Sequence, residues 1–339
     1  MRVITFGEIM LRLAPEGYNR LFQTPVMNCT FGGGEANVAV SLSNYGIETA
    51  FVTKLPKNPI ADACVRELKS FGVDTRFISR GGERMVVYYM EKGASVRPSN
   101  VIYDRAHSSI ATATKDDFDW NTILGDADWL HFTGITPALS DELSEITLCA
   151  VKTAKEKGLT VSCDLNYRKK LWSKEKAGKV MSTLMPYVDV CICNEEDASD
   201  VFGISAAGSD ISKGSLSHDG YIGVAKQLVD RFVFKKVAIT LRESFSANDN
   251  DWAAMLYDGK NAHFSTKYSL HIVDRVGGGD SFGGGLIYAL LDGKSDEEAL
   301  EFAVAASALK HTIEGDYNRV SVDEVNSLIK NGGNGRVQR

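Results

Sequence analysis

Short apolar runs alternate with amphipathic segments along most of the chain. Runs with the length and β-branched content of strands stand at 3–9, 49–55, 129–134, 159–165, 188–194 and 236–241. Segments with helical periodicity stand at 35–45, 59–71, 142–157, 174–185, 221–232, 281–291 and 296–312. Because the strands contain few charges and helices separate them, the pattern predicts an α/β fold. Its central sheet should be mainly parallel and covered by helices on both faces.

Two regions break this alternation, residues 10–30 and 82–112, which have strand character but no intervening helix. The run "MVVYYME" in the second region is rich in β-forming residues. One interpretation is a pair of ordinary hairpins at the edge of the core. The other is a small sheet that stands off the main sheet and covers an active site. The pattern alone favours neither; elsewhere, it predicts a mobile polar loop at 204–220 and a flexible tail at 333–339.

Composition narrows the class of protein. The 339 residues are 44% apolar, enough for a large core, and the net charge of −6 does not favour a nucleic-acid partner. No window approaches the roughly 18 uncharged apolar residues of a membrane span. The N-terminal "MRVITFGEIMLRL" contains Glu8 and lacks a small-residue cleavage site, so it is interpreted as a strand and not as a signal peptide. These features predict a cytoplasmic protein.

The cysteines and histidines give little sign of a metal centre. No two cysteines form a C-x-x-C pair, there is no H-E-x-x-H, and most cysteines lie in apolar segments such as "DVCICN". Buried, reduced thiols are therefore favoured over a disulfide framework or a zinc site.

The densest glycine cluster is "VDRVGGGDSFGGGLIYALL", residues 273–291. Two well-known phosphate-binding loops fail on its spacing. A Walker A loop needs a Lys directly after its glycines, and none follows here. A dinucleotide-binding G-x-G-x-x-G fingerprint would place its third glycine at Phe282, and too little chain follows for a second βαβ half.

The third interpretation of this cluster is an anion hole. Gly277, Gly278 and Gly279 can turn their N–H groups to one side, and the helix that begins near Asp280 adds unpaired N–H groups and a positive dipole end. Such a site suits the charge of a phosphoryl group in transfer, and Asp280 could accept a proton from a substrate hydroxyl. A purely structural alternative is that Asp280 caps the helix and the glycines serve packing.

A second glycine cluster, "FGGGEANVAVSLSNYG" at 31–46, also stands directly before a helix. Because Gly32–Gly34 have no Cβ, a ligand can lie against their backbone, and Asn37 in the first turn can bond a hydroxyl group. A tight turn alone would need only one or two such glycines, so this cluster favours a binding site.

Together, the two clusters resemble the ribokinase/PfkB family of carbohydrate kinases over almost the full length of the chain. The first motif is "GGGEANVA" (32–39), and the second is "DRVGGGDSFGGG" (274–285), close to the family pattern D-T-x-G-A-G-D. Both stand in the order and at the separation found in the family. Arg275 and Gly278 replace the usual Thr and Ala of that pattern.

The resemblance implies a ribokinase-like three-layer sandwich with a small β lid over the sugar, through which family members often form homo-oligomers. It therefore favours the lid interpretation of the two irregular regions. The expected parts are a discontinuous core at 1–9, 31–81 and 113–332, a lid at 10–30 and 82–112, and the tail at 333–339.

The resemblance also implies a role for each matching residue. Asp280 would deprotonate the attacking hydroxyl, and the backbone amides of Gly277–Asp280 would form the anion hole. Asn194 would lie near the phosphates and Mg²⁺, with Asp197, where Glu is more common, holding the metal through water. ATP and Mg²⁺ are the expected cofactors, and a monovalent cation is left open. Since Mg²⁺ arrives with the nucleotide and keeps waters, no dedicated protein cage is expected.

Further nucleotide contacts are expected at the end of "AITLRESF" and along the helix at 296–312. Arg242 stands where many family members have Gly, and Lys310 is a further expected neighbour of the adenine. The complete expected set of ATP-binding residues is Asn194, Thr240, Arg242, Gly277, Gly279, Ala305 and Ala308.

Within the family, the chain most resembles kinases of 2-keto-3-deoxygluconate, a sugar acid. An arginine fork suits a planar carboxylate, so Arg105 and Arg168, from distant segments, predict a clamp. The alternative is a surface salt bridge for each Arg and plain lid packing for Tyr89. The expected substrate contacts are Gly33, Gly34, Asn37, Tyr89, Tyr103, Arg105, Ile135, Arg168 and Asp280.

The predicted reaction is ATP-dependent phosphorylation of 2-keto-3-deoxygluconate, or an epimer, at its C6 hydroxyl. One alternative is a kinase for a neutral sugar such as fructose or ribose. A second is a non-catalytic sugar- or nucleotide-binding protein on the same fold. The expected partners are the sugar acid and ATP, with no nucleic acid and no membrane, and the sequence leaves the choice between the gluconate and galactonate epimers open.

Overall fold

The computed structural model describes residues 1–205 and 218–333. Most of the predicted mobile loop, 206–217, and the tail 334–339 lie outside the described residues. The described strands are β1 (Arg2–Phe6), β2 (Met10–Ala14), β3 (Asn28–Gly32), β4 (Glu48–Leu55), β5 (Ile78–Arg80), β6 (Val86–Glu91), β7 (Asn100–Asp104), β8 (Trp129–Thr133), β9 (Thr160–Asp164), β10 (Val190–Asn194), β11 (Lys236–Ser244), β12 (Asp249–Tyr257), β13 (Ala262–Phe264) and β14 (Tyr268–His271). The described α-helices are α1 (Gly34–Asn44), α2 (Pro59–Ser70), α3 (Trp120–Ile123), α4 (Ile135–Ala138), α5 (Asp141–Glu156), α6 (Lys174–Leu184), α7 (Glu195–Phe202), α8 (His218–Phe232), α9 (Gly278–Leu291), α10 (Asp296–Lys310) and α11 (Val322–Asn331).

The main sheet has ten strands in the described part of the chain. Its order is β13-β12-β11-β10-β9-β8-β1-β4-β5, and β14 also pairs with β12. All neighbours from β11 to β5 are parallel, whereas β12, β13 and β14 add an antiparallel edge. The predicted mainly parallel sheet is confirmed. The sequence pattern misses the antiparallel edge because β12 opens with polar residues and the other two strands are too short to show a period.

The central strand β1 sends its side chains alternately to the two faces of the sheet. Ile4 and Phe6 pack in the core under α5, α6 and α8, and Val3 packs in the core under α1, α9 and α10. Every residue of β1 is buried. Burial on both faces requires helices above and below, which produces the three-layer sandwich. None of the described helices is long and apolar enough to cross a membrane.

The helices differ in how the N–H groups of their first turn are bonded. At α10, the Ser295 hydroxyl accepts from the N–H of Glu298, whose carboxylate accepts from the N–H of Ser295. By contrast, the N-cap residues of α1 and α9 are Gly33 and Gly277, which have no side chain to cap the helix. The first N–H groups of these two helices are therefore left to other acceptors.

The two irregular regions meet in a separate four-stranded sheet. Its order is β3-β2-β6-β7, in which β2 and β6 are parallel and the outer pairs are antiparallel. The prediction of a small sheet apart from the main sheet is confirmed. Met10, Arg12 and Ala14 of β2 are buried. A buried arginine requires charged or polar partners, and Arg12 finds them in the core.

Candidate active site

A cavity of about 500 Å³ lies where the carboxyl ends of the parallel strands meet the small sheet. Open α/β sheets bind ligands at this edge. The core contributes the ends of β9, β10 and β11 and the N-termini of α1 and α9, and the small sheet contributes β2, β6 and β7. The small sheet therefore forms one wall of the cavity.

Most of the predicted site residues line this cavity, although they come from segments far apart in the sequence. They are Gly33, Gly34, Asn37, Tyr103, Arg105, Ile135, Arg168, Asn194, Asp197, Thr240, Arg242, Gly277, Gly279 and Asp280. The predicted residues that lie elsewhere are Tyr89, Gly278, Ala305 and Ala308. Lining residues that no motif indicated include Glu8, Tyr88, Trp252 and Asp316.

Asp280 lies in the first turn of α9, beside the cavity. The side-chain amide of Asn37, on α1, donates a hydrogen bond of 2.7 Å to its Oδ2. Part of the residue is accessible from the cavity, but protein surrounds it. This burial raises its pKa to about 6, and the bond from Asn37 opposes the rise. Asp280 is therefore mostly ionised at neutral pH and able to accept a proton.

The three glycines before this carboxylate have different surroundings. Gly277 has φ of 82°, and a Cβ there would overlap the carbonyl of Asp316, so both conformation and space require glycine. Gly279 has open space around it and lines the cavity. Gly278 is buried, its N–H closes the turn, and it packs on the ring of His311. The predicted three-glycine anion hole is thus open to the cavity at Gly277 and Gly279 only, among the described residues of this loop.

The first glycine cluster is tied to the main sheet by Glu35. This residue is fully buried, and its Oε1 accepts three hydrogen bonds, from the N–H and hydroxyl of Thr133 at 3.0 and 2.8 Å and from the hydroxyl of Thr136 at 2.7 Å. Burial raises the pKa of Glu35 to about 7. These bonds hold the start of α1, which follows Gly33, against the start of α4, where Ile135 lies.

Asn194 and Asp197 form a reciprocal cap at the start of α7. The Asn194 side chain accepts from the N–H of Asp197 at 2.8 Å, and the Asp197 carboxylate accepts from the N–H of Asn194 at 3.2 Å. Asp197 also accepts from the N–H of Tyr167 at 3.0 Å. Burial raises the pKa of Asp197 to about 6. Both side chains are thus held in place at the cavity wall by the helix cap.

Asp164 ends strand β9 close to two further carboxylates. Burial raises its pKa well above the usual range, and the charges of Asp197 and Asp280 raise it further. Arg168 opposes this rise, and its Nη1 donates to the carbonyl of Tyr167 at 3.1 Å. A cation bound on this side of the cavity would favour the ionised form of these clustered carboxyl groups.

Arg242, on β11, and Arg275, in the loop before α9, supply positive charge to the cavity. Both line the cavity. Arg275 donates to the side chain of Asn250 at 3.3 Å, while its Nε is buried with no partner in the described chain. Burial lowers the pKa of Arg275, and the neighbouring charge of Arg242 lowers it further. Two like charges with an unpartnered donor suit an anionic ligand.

Arg105, one of the two arginines of the predicted clamp, lines the cavity but is paired with Glu8 and is not a free fork. Its Nε donates to Oε1 of Glu8 at 2.8 Å, its Nη2 lies 2.6 Å from the same oxygen, and its guanidinium stacks on the ring of Tyr103 at 3.8 Å. The other carboxylate oxygen of Glu8 is buried without a partner in the described chain. Arg105 is therefore rigid, and Glu8 compensates its charge.

Tyr88, and not Tyr89, is the tyrosine of β6 that lines the cavity. Successive side chains on a strand point to opposite faces, so the two neighbours cannot both face it. The Tyr88 hydroxyl donates to Asp316 at 2.7 Å, and Arg12 donates to Asp316 at 2.7 Å and to Asp274 at 2.6 Å. This buried network joins the small sheet to the loop before α9, and no sequence motif indicated it.

Ala305 and Ala308 are fully buried on α10, against α9. The predicted adenine wall on this helix is therefore not part of the cavity, because the small side chains of α10 allow close packing between the two helices. Lys310, expected beside the adenine, is also buried, under the glycine loop.

The family model described as pfkB family carbohydrate kinase matches residues 1–322 of this chain. The chain is 34% identical over 330 residues to 2-dehydro-3-deoxygalactonokinase of Haloferax volcanii, covering 97% of each chain. It is 26% identical to 2-dehydro-3-deoxygluconokinase of Bacillus subtilis, covering 95% of this chain and 93% of that one. The crystal structure of 2-dehydro-3-deoxygluconokinase from Thermotoga maritima is 52% identical and covers 97% of this chain and 98% of its own, with a TM-score of 0.94. The chain therefore belongs to the pfkB family of carbohydrate kinases.

Proposed function

We propose that this kinase transfers the γ-phosphoryl group of ATP to the C6 hydroxyl of 2-keto-3-deoxygluconate (2-dehydro-3-deoxygluconate) or of its galactonate epimer. The observation that carries the proposal is the meeting of Asp280, two glycine loops and the rigid Arg105 in one cavity. The names of the relatives support the substrate class, since those compared above are kinases of 2-dehydro-3-deoxy sugar acids.

Asp280 is the proposed general base. It takes the proton of the C6 hydroxyl as this oxygen bonds to the γ-phosphorus and the bond to the ADP oxygen breaks. A pKa of about 6 keeps the carboxylate ionised at neutral pH without making it too weak a base. The amides at Gly277 and Gly279 and the N-terminus of α9 stabilise the negative charge of the phosphoryl group in transfer.

The substrate end of the cavity suits a sugar acid. Glu8 and the ring of Tyr103 hold Arg105 in one orientation. Its side chain therefore loses little conformational entropy when it binds an oxygen of the substrate. The unpartnered oxygen of Glu8 can accept from a sugar hydroxyl. Arg168, exposed at the cavity, supplies net positive charge for the carboxylate. Gly34, where a Cβ would lie 3.5 Å from Oδ1 of Asp280, lets the sugar approach the main chain beside this carboxylate.

The nucleotide end of the cavity lies along β10 and β11. Asn194, Thr240 and Arg242 line it, and Arg275 adds an unpartnered donor for the phosphates. The oxygen donors of Asp164 and Asp197 fit a hard cation such as Mg²⁺, held through water. Among the described residues, no three His, Cys, Asp or Glu side chains are grouped to hold a metal, so an ion here would take further oxygens from the phosphates and water. When bound, the ion neutralises phosphate charge.

A coupled ADP-release assay tests the substrate class. The panel contains 2-keto-3-deoxygluconate, its galactonate epimer, fructose and ribose, each with ATP and Mg²⁺. We expect turnover with one or both keto-deoxy sugar acids and none with the neutral sugars. Equal turnover of fructose would contradict the proposed role of Arg105 and Arg168. Nucleotide binding without turnover of any sugar would indicate a binding protein on the kinase fold.

Association of two copies through the small sheet stays a prediction, as do the boundaries of lid and core. Phe22 and Val26, in the lid segment 10–30, expose 81% and 68% of their surface, which suits burial against a second copy. Light scattering at assay concentration measures the mass; a monomer would contradict this prediction.

A further inference from the structure

Lys310, the last residue of α10, is fully buried, with no exposed surface. Its side chain passes directly under the glycine loop, so that a Cβ on Gly277 would lie 3.2 Å from its Cε. Burying a lysine is costly unless the ammonium group has partners. A lysine in the last turn of an exposed helix face keeps its ammonium group in water, whereas the buried ammonium group of Lys310 needs partners within the protein.

The partners of the Lys310 ammonium are main-chain carbonyls. Its Nζ donates to the carbonyl of Asp274 at 3.3 Å and to the carbonyl of Ile313 at 3.2 Å. The first carbonyl belongs to the loop that leads into Gly277, and the second follows the end of α10. Carbonyl oxygens at a helix C-terminus, where the dipole is negative, form a site suited to a cation.

The charges around this site also favour a cation. The carboxylates of Asp274, Asp316 and Asp280 each favour the charged form of Lys310, and Arg12 opposes it. Arg12 bonds directly to two of these carboxylates. Burial lowers the pKa of Lys310, and the carboxylates oppose that change. Because Arg12 pairs with only two of these three acidic side chains, negative charge is left for a second cation to balance.

We propose that Lys310 is a resident cation that positions the phosphoryl-binding loop, so that this kinase needs no bound monovalent cation. An ammonium group resembles K⁺ in size and charge, and that of Lys310 already binds two main-chain carbonyl oxygens, a ligand type that also suits K⁺. This inference rests on the proposed kinase function for its activity readout. In it, Lys310 acts as a positioning residue through the Asp274 carbonyl and not as a neighbour of the adenine. It also concerns the monovalent cation, which the sequence left open.

The test uses the whole enzyme and the variants Lys310→Ala and Lys310→Met. Turnover and thermal unfolding are measured with tetramethylammonium as the only monovalent cation, then with Na⁺, K⁺ or NH₄⁺ at equal ionic strength. The wild type is expected to show the same turnover in all four. Lys310→Ala is expected to lose about 10²-fold in tetramethylammonium, the size of one lost electrostatic contact in an active site, and to recover at least part of it in K⁺ or NH₄⁺.

Thermal unfolding gives a readout that does not need the sugar. Binding of K⁺ in the space left by Lys310→Ala should raise its melting temperature above the value in tetramethylammonium, because the ion binds only the folded state. Lys310→Met, which fills that space with an uncharged chain, should show neither recovery nor stabilisation. Lys330→Ala removes an exposed last-turn lysine of α11 and is the matched control, expected to behave as wild type.

Three results would overturn the inference: wild-type turnover that requires K⁺, full activity of Lys310→Ala in tetramethylammonium, or a folded Lys310→Ala that K⁺ neither activates nor stabilises. If Lys310→Ala does not fold, the inference is tested by the turnover of the wild type in the four cations and by the turnover and thermal unfolding of Lys310→Met. Absence of sugar-acid turnover in the wild type would contradict the proposed function, while the unfolding data on Lys310→Ala would still test the cation site.

Discussion

Two loops of this molecule share a local pattern and differ in their surroundings. Each places three consecutive glycines at the start of a helix, α1 or α9, that has no side-chain cap. Each has a carboxylate in the first turn, Glu35 or Asp280, and the two helices pack against each other. Burial raises the pKa of both carboxylates, to about 7 for Glu35 and about 6 for Asp280.

The difference lies in what the two carboxylates face. Glu35 is enclosed by the core and accepts three hydrogen bonds from Thr133 and Thr136. Asp280 faces the cavity and accepts a bond from Asn37. A carboxylate enclosed by protein donors can fix structure but cannot reach a substrate, whereas one that borders a cavity can exchange a proton. The same sequence pattern thus supports a structural role in one loop and a chemical role in the other.

Exchanging each carboxylate for its amide tests this comparison most strongly. Asp280→Asn should lower turnover by about 10²–10⁴-fold, since it removes the general base, and should leave the fold intact. Glu35→Gln should keep most of the turnover. Steady-state rates with the sugar acid, together with thermal unfolding of both variants, provide the measurement. Near-normal turnover of Asp280→Asn would show that the base lies elsewhere.

The pH dependence of stability should isolate Glu35. Because its pKa is raised from 4.5 to about 7, the folded state holds the proton more tightly. The resulting contribution to the free energy of unfolding is complete below about pH 4.5 and is lost as pH rises to about 7. Glu35→Gln does not titrate, so it should gain up to about 3 kcal/mol relative to wild type over this range. Urea unfolding at several pH values measures the gain; exposed Glu83→Gln is the control, and a pH-independent difference would contradict the burial argument.

Within the second loop, substitutions of two glycines by alanine should have different effects on the stability of the protein. Gly277→Ala places a side chain at φ of 82° and against the Asp316 carbonyl, and should destabilise the fold by about 1–2 kcal/mol or more. Gly279→Ala, in open space on a helix, should be neutral or slightly stabilising. Denaturant midpoints compare the two, and equal values would mean that the turn tolerates a side chain.

The contact between the two loops should set the pH profile of the reaction. Asn37→Ala removes the donor that favours ionised Asp280, so the Asp280 pKa should rise from about 6 by up to about one unit. As the base must be ionised, the acidic limb of the kcat/KM profile should move to higher pH. Asn37→Asp should move it in the same direction. A limb that stays near pH 6 in both variants would indicate that another group titrates there.

Much of this architecture was predictable from local sequence. The apolar runs identify the parallel strands because such strands are buried on both faces. The glycine clusters and Asn37 identify most of the cavity because their spacing relative to a helix start is a local property. By contrast, the choice between Tyr88 and Tyr89 depends on which face of a four-stranded sheet meets the cavity, and a strand pattern alone does not contain that face.

The sequence by itself determined the fold class, the family and the two loops that border the cavity. Only the tertiary structure decided which carboxylate is reachable, that Glu8 compensates Arg105, and that Lys310 lies under the glycine loop. Backbone conformation and burial are encoded by neighbouring residues. Electrostatic pairing joins residues far apart in the chain, such as Glu8 and Arg105, and becomes defined only when the fold removes both partners from water.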